Sequence, residues 1–268
     1  MTSVSTDLLE IARTVALRAG ALVRQRRMEG VEVADQKSSP VDIVTHADRE
    51  AEALIRGLLA DARPNDGFLG EESGAEVGSS GLTWVVDPID GTVNFLYGIP
   101  QYAVSVAVVE GEPDPLTWSG IAGCVFNPAN GELYSATSDG AAFLGDTEIR
   151  VADAVPLSQA LVATGFAYDS GERARQGAIV ARLLPEVRDI RRIGTASLDL
   201  CFVAAGRFNA YYELGLSPWD HAAGAIIARR AGVRVSGLGG AAPSRELILA
   251  GHPDVAADLE QRLVAFGA

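Results

Sequence analysis

Trp84-Val85-Val86-Asp87-Pro88-Ile89-Asp90-Gly91-Thr92-Val93-Asn94-Phe95 joins a short apolar run to two carboxylates three residues apart, punctuated by Pro and Gly. Val85 and Val86 read as the end of a buried strand, and Pro88 and Gly91 turn the backbone there. Asp87 and Asp90 can then converge on one point beyond the strand, and hard divalent cations take such oxygen ligands. The same residues also suit a plain surface turn, since Asp-Pro and Asp-Gly pairs commonly make one. Two other acidic motifs fail on spacing. An EF-hand loop starting at Asp87 needs oxygen ligands at Ile89 and Gly91 and a Glu at Gly98. An aspartyl-nucleophile pattern of the DxDxT type needs its acids two positions apart.

With 268 residues, 48% of them hydrophobic, the chain can build one large or two moderate cores. Its apolar segments are short and interrupted, so neither a membrane span nor a secretory signal is expected, and a soluble cytoplasmic protein is the default. Cys124 and Cys201 stand far apart in apolar surroundings and read as small buried hydrophobes. A formal charge of −13 argues against binding nucleic acid or an anionic membrane. It also repels a phosphorylated substrate, unless bound cations invert the local potential.

Leu8, Ile11, Ala12, Val15, Ala19, Leu22 and Val23 recur at helical spacing, predicting a helix over 6–27. A polar loop, Asp35-Gln36-Lys37-Ser38-Ser39-Pro40, leads to a second helix with Ala51, Leu54, Ile55, Leu58 and Leu59 on one stripe. Strands are expected at 83–86, 102–109, 120–126, 132–136 and 141–144, joined by Gly-containing turns, which suggests an α+β arrangement with mostly antiparallel pairing. Beyond Val151 to Pro156 short strands alternate with helices at 198–205, 222–231 and 255–265. A boundary near 150 therefore separates an N-terminal α+β domain, 1–150, from a C-terminal α/β domain, 151–268.

Other acids stand at Gly70-Glu71-Glu72-Ser73, at Asp42 and Asp48, and at Asp220 in Ser217-Pro218-Trp219-Asp220-His221. Each has an ordinary reading: a solvated loop for the glutamates, helix capping for Asp48 and Asp220. His46, His221 and His252 read as structural or solvent-facing.

Taken together, Lys37-Ser38-Ser39-Pro40-Val41-Asp42 with Asp48, Gly70-Glu71-Glu72-Ser73, Asp87-Pro88-Ile89-Asp90-Gly91-Thr92 with Asn94-Phe95, and Trp219-Asp220 with Ala223-Gly224 resemble the inositol monophosphatase family. The order is the family's and spans essentially the whole chain. Gly194-Thr195-Ala196-Ser197-Leu198-Asp199-Leu200 and Ala210-Tyr211-Tyr212-Glu213 are similar to its bacterial inositol-1-monophosphatases.

The resemblance implies an αβαβα sandwich, two or three Mg2+ ions, lithium sensitivity and a homodimer. It places Glu71, Asp87 and the carbonyl of Ile89 on the first ion, and Asp87, Asp90 and Asp220 on the second. Glu71, Asp48 and Thr92 match its catalytic positions, the last two orienting a metal-activated water, with Lys37 assisting. Gly91 and Thr92 would bind phosphate through their amides. Asp90, Glu213 and the main chain at Gly194, Thr195 and Ala196 would meet the hydroxyls of a small phosphorylated polyol. The implied reaction is hydrolysis of inositol 1-phosphate or a related polyol phosphate. A histidinol-phosphate or sugar-bisphosphate phosphatase, and a regulatory protein-binding module of the same fold, are the alternatives. Arg191-Arg192 would bind a second phosphate or pair with acids at a subunit contact.

Overall fold

The computed structural model describes residues 4–36 and 43–268. Lys37 and Asp42 of the quoted loop lie outside them.

Helix α1 (Val4–Glu29) is followed by the antiparallel pair β1 (Val33–Gln36) and β2 (Ile43–Thr45), then by α2 (His46–Ala62). Next come β3 (Gly67–Gly70), β4 (Gly74–Glu76), β5 (Leu82–Asp90), the short helix α3 (Thr92–Tyr97), β6 (Ala103–Glu110), β7 (Ser119–Asn127), β8 (Glu132–Thr137), β9 (Ala142–Leu144) and β10 (Thr147–Glu148). Strands β3 to β10 form one eight-stranded sheet in the order β10-β9-β8-β7-β6-β5-β3-β4. Its pairs are antiparallel except β3 with β5.

The rest of the chain supplies β11 (Leu161–Thr164), α4 (Ser170–Leu183), β12 (Asp189–Arg191), α5 (Ala196–Ala204), β13 (Ala210–Glu213), α6 (Pro218–Arg230), β14 (Arg234–Ser236), β15 (Ile248–Gly251) and α7 (Pro253–Phe266). The second sheet runs β12-β11-β13-β15-β14, parallel around β11 and antiparallel at β15.

Both sheets are covered on two faces, and the sequence shows why. In β6, Val104, Val106 and Val108 point into a core shared with α1 and α2. Ala103, Ala107 and Val109 point the other way, into a core shared with α5 and α6. A strand buried on both sides loses polar alternation and reads as a continuous apolar run, as Ala103-Val104-Ser105-Val106-Ala107-Val108-Val109 does. In β13, Tyr211 faces the middle core while Ala210 and Tyr212 face a third core with Leu183 of α4 and Leu259 of α7. The result is five layers: α1 and α2, the large sheet, α5 and α6, the small sheet, α4 and α7. The layered αβαβα sandwich expected from the sequence is the fold observed.

Helix α1 extends two residues past its expected ends at each side, and its apolar burial runs along one stripe from Leu8 to Val23. Each such side chain contributes about 1.5–3 kcal/mol on leaving water. Strand β5 also outruns its expected end at Val86 and continues to Asp90. Pro88 does not stop it because the pairing with β6 slips there. Asp87 faces Ser105 and Asp90 faces Ala103, so three steps on β5 match two on β6. That bulge decides the site geometry: in a regular strand residues three apart point to opposite faces, whereas one extra residue returns Asp90 to the side of Asp87.

Candidate active site

Asp87, Ile89, Asp90, Gly91 and Thr92 line one wall of a cavity of about 630 Å3, joined there by Glu71, Gly194, Thr195, Ala196, Glu213 and Asp220. Five separate stretches of chain therefore deliver the expected residues to one place. Strands β3 and β5 run parallel, with Gly70 beside Val86, so Glu71 leaves its strand next to Asp87. Glu52 of α2 fixes that loop: its Oε2 accepts the Glu72 amide at 2.8 Å, and a side chain at Gly70 would strike the same carboxylate. Asp220 arrives on the first turn of α6 and Glu213 at the end of β13.

The far wall is pinned to α3 by one carbonyl. Gln101 O accepts Asn94 Nδ2 at 2.7 Å and Thr195 Oγ1 at 2.7 Å, and Asn94 Nδ2 also donates to Ile193 O at 2.9 Å. Gly91, with φ at 90°, sits in this junction; a Cβ there would lie 2.6 Å from Thr195 Oγ1 and 3.0 Å from Gln101 O. Only glycine meets both the left-handed backbone and the close approach.

Four of the acids lining the cavity have one oxygen tied to the protein. Asp87 Oδ1 accepts the Ile89 amide at 3.0 Å, and Asp220 Oδ2 the Ser217 amide at 2.6 Å. Asp90 Oδ2 accepts both the amide and the hydroxyl of Ser197, at 2.7 and 2.5 Å. Glu213 Oε2 accepts the Tyr211 hydroxyl at 2.7 Å. Asp48 does not line the cavity. It is completely buried behind Thr92, with Oδ2 bonded to the Thr45 amide and hydroxyl and Oδ1 3.1 Å from Thr92 Oγ1. Thr92 Oγ1 also reaches Ile89 O at 3.1 Å.

Burial and crowding push these acids towards their neutral forms. Burial first, then the charges of Glu71, Asp90 and Asp220, hold Asp87 well above the aspartate range. Burial and then Glu71 raise Asp220 similarly. Burial lifts Asp90 and Asp48 to about 7 against their Ser197 and Thr45 hydrogen bonds, and lifts Glu213 to about 7. Among the residues lining the cavity, eight are acidic and three are arginines, Arg175, Arg192 and Arg245.

This donor set fits hard divalent cations. All the donors are oxygen, their mutual repulsion is relieved by positive charge, and the Ile89 carbonyl stands between Asp87 and Asp90. Among the described residues no three acidic, His or Cys side chains form a ready-made metal cage.

Residues 5–265 match the inositol monophosphatase family. The chain belongs to that family. An inositol-1-monophosphatase of Mycobacterium leprae is 43% identical over 96% of this chain and 93% of its own. A Nus factor SuhB of Vibrio cholerae is 36% identical over 87% of this chain and 86% of its own. The crystal structure of the extragenic suppressor protein suhB from Bartonella henselae superposes with a TM-score of 0.86 at 35% identity, covering 96% of this chain and 98% of that one. A phosphatase of the inositol monophosphatase family is thus the established class.

Several residues of the site had no role assigned from the sequence. Ser197 is 107 positions from Asp90 yet is its double donor. Glu52 looks like any polar helix residue. Gly165 leaves room for Glu213, whose carboxylate atoms would lie 2.1–2.2 Å from a Cβ placed there. Of the two arginines, Arg192 lines the cavity with its guanidinium 6.0 Å from the Phe166 ring. Arg191 is an exposed partner of Asp189 at 2.6 Å.

Proposed function

We propose that this protein is a magnesium-dependent phosphomonoesterase that hydrolyses inositol 1-phosphate, or a closely related polyol phosphate, to the alcohol and inorganic phosphate. The observation that carries the reading is the convergence of Glu71, Asp87, Asp90 and Asp220 on one cavity whose other wall offers Glu213 and the main chain of Gly194 to Ala196. Glu71, Asp87 and the Ile89 carbonyl would hold one cation, and Asp87, Asp90 and Asp220 a second. Bound divalent cations would supply positive charge to the phosphoryl oxygens and acidify the attacking water.

The chain's own groups orient the reactants. When Thr92 donates its hydroxyl proton to Asp48 Oδ1, its oxygen lone pairs remain to accept a proton from water in the cavity. The amides of Gly91 and Thr92, unpaired at the start of α3, face the phosphate. Glu213, with one oxygen held by Tyr211, offers the other to sugar-like hydroxyls, and Asp90 does the same from the opposite wall. Eight acids against three arginines would repel a phosphate dianion unless cations are bound.

Arg192 favours a second reading. It lines the cavity, where its charge acts on Glu213 without a direct ion pair among the described residues, which suits a leaving alcohol bearing another anionic group, as in a sugar bisphosphate. The experiment is phosphate release from inositol 1-phosphate, histidinol phosphate, fructose 1,6-bisphosphate and adenosine 3′,5′-bisphosphate, each with magnesium and with chelator. Preference for inositol 1-phosphate, lost on chelation, is expected. Preference for a bisphosphate would support the Arg192 reading. No magnesium-dependent release from any of them would sink both and leave a protein-binding role.

A further inference from the structure

A second cavity, of about 430 Å3, opens on the other side of α6 and shares no lining residue with the cleft. Leu116, Trp118, His221, Ile226, Arg229 and Arg230 give it its character. Successive helix residues point about 100° apart. Asp220 therefore faces the cleft while His221, the next residue, faces this cavity.

Three observations define what it would take. The first is charge. Two arginines and a histidine line it and no carboxylate does, the reverse of the cleft and unusual in a chain of formal charge −13. Among the described residues neither arginine has an ion pair. Arg229 reaches only Val235 O at 3.3 Å, and Arg230 only Gly140 O at 2.5 Å. Asp139, the acid that senses Arg230, lies outside the lining and accepts the Ser5 hydroxyl at 2.9 Å.

The second is an unmade hydrogen bond. His221 is 2% exposed, and its Nε2 is buried without a partner. A buried ring nitrogen left unpaired costs free energy, which a ligand's polar group would return once a small turn of the ring brings the nitrogen to the cavity surface. The third is shape. The Trp118 ring stands 6.3 Å from the imidazole at 58°, and Ile226, Pro115 and Pro243 complete an apolar floor with Leu116 at its rim. The volume is that of a small-molecule pocket, about 300–1000 Å3.

We propose that this cavity is a second ligand site, taking a small organic anion whose body is a flat apolar ring system and whose carboxylate, sulfonate or phosphate meets Arg229 and Arg230. The ring packs against Trp118, and a polar edge pairs with His221. The site stands apart from the cleft, so its existence does not depend on which phosphate ester the cleft hydrolyses.

The test is calorimetric titration of the full chain with naphthalene-1-sulfonate, in magnesium and enough inorganic phosphate to saturate the cleft. One saturable site per chain is expected, with a dissociation constant below about 1 mM. Binding should weaken by about tenfold or more in R229E/R230E, and 1-naphthalenemethanol, the same ring without charge, should lose a similar factor. Both arginines lie at the exposed C-terminal end of α6, and thermal unfolding of the variant checks that it folds. L116W, at an exposed position on the rim, should block binding without altering charge. No saturable binding, equal affinity in R229E/R230E, or a neutral alcohol that binds as tightly would overturn the proposal.

Discussion

Asp220 gives Oδ2 to the Ser217 amide at the start of α6 and Asp48 gives Oδ2 to the Thr45 amide at the start of α2, so both are helix-capping residues. Both also serve the cleft: Asp220 lines it, and Asp48 holds Thr92 through Oδ1. A carboxylate has lone pairs enough for a cap and a further partner, so the structural and functional readings of one Asp do not compete. Asp87 is placed differently, with Glu71, Asp90 and Asp220 all raising its pKa. Asp87→Asn should therefore cut turnover by about 10³-fold or more, the loss of several kcal/mol of cation-mediated stabilisation. In chelator at pH 8 it should melt higher than the wild type, because a buried repelling charge has gone. Substantial turnover at saturating magnesium would sink the assignment of Asp87 to both ions. Gly91→Ala forces a Cβ to within 2.6 Å of Thr195 Oγ1 at a φ of 90°. It should cost about 1–3 kcal/mol and open the Gln101 junction, seen as a lower melting point with a raised KM.

The elements that build the cleft differ in how plainly the sequence announces them. Strands β5 to β8 and helix α1 are long, doubly buried or strongly periodic, and their residues show it. The bulge between Asp87 and Asp90 is invisible locally, because it is a property of pairing with β6. The αβαβα layering was legible only through the family resemblance; periodicity gave elements and no stacking order. Helix α6 shows the limit best. Its Ala222-Ala223-Gly224 run reads as helix, but what the small residues do appears only in three dimensions. A Cβ on Gly224 would lie 2.9 Å from Leu200 Cβ and 3.1 Å from Ser197 O, so α6 packs against α5 at the residue that holds Asp90. Gly123 of β7 comes equally close to the Ala223 backbone. Gly224→Ala should therefore cost about 1–3 kcal/mol by overpacking and raise the magnesium concentration needed for half-maximal activity. Unfolding with magnesium titration checks both, and a stability loss with an unchanged magnesium requirement would separate this contact from the cation site.

At the scale of the whole molecule, the acids that make the cleft work also set its pH response. Asp48, Asp90 and Glu213 are lifted to about 7, and Asp87, Asp199 and Asp220 are held well above the ordinary aspartate range, burial leading in every case. Asp199 contributes without lining the cleft, and neither of its buried oxygens has a hydrogen-bond partner among the described residues. An acid whose folded pKa exceeds its unfolded value keeps its proton longer in the native state. Between about pH 4 and 7 the native chain then binds more protons than the unfolded one, and stability falls as pH rises. His221 acts in the opposite sense: lowered to about 4, it makes stability rise with pH from there to its ordinary 6.5. One histidine is outweighed by six carboxylates, at about 1.4 kcal/mol per pH unit for each fully titrating group and less for those open to cavity water. In chelator the melting point should drop by about 5 °C or more between pH 5 and 8. Magnesium bound in the cleft, as proposed, would reverse the balance by holding its acids ionised. Its stabilisation should be small at pH 5, where it competes with protons, and largest at pH 8. Melting curves at the two pH values, with magnesium and with chelator, measure this directly, and a magnesium shift independent of pH would mean that the ion binds somewhere other than these carboxylates.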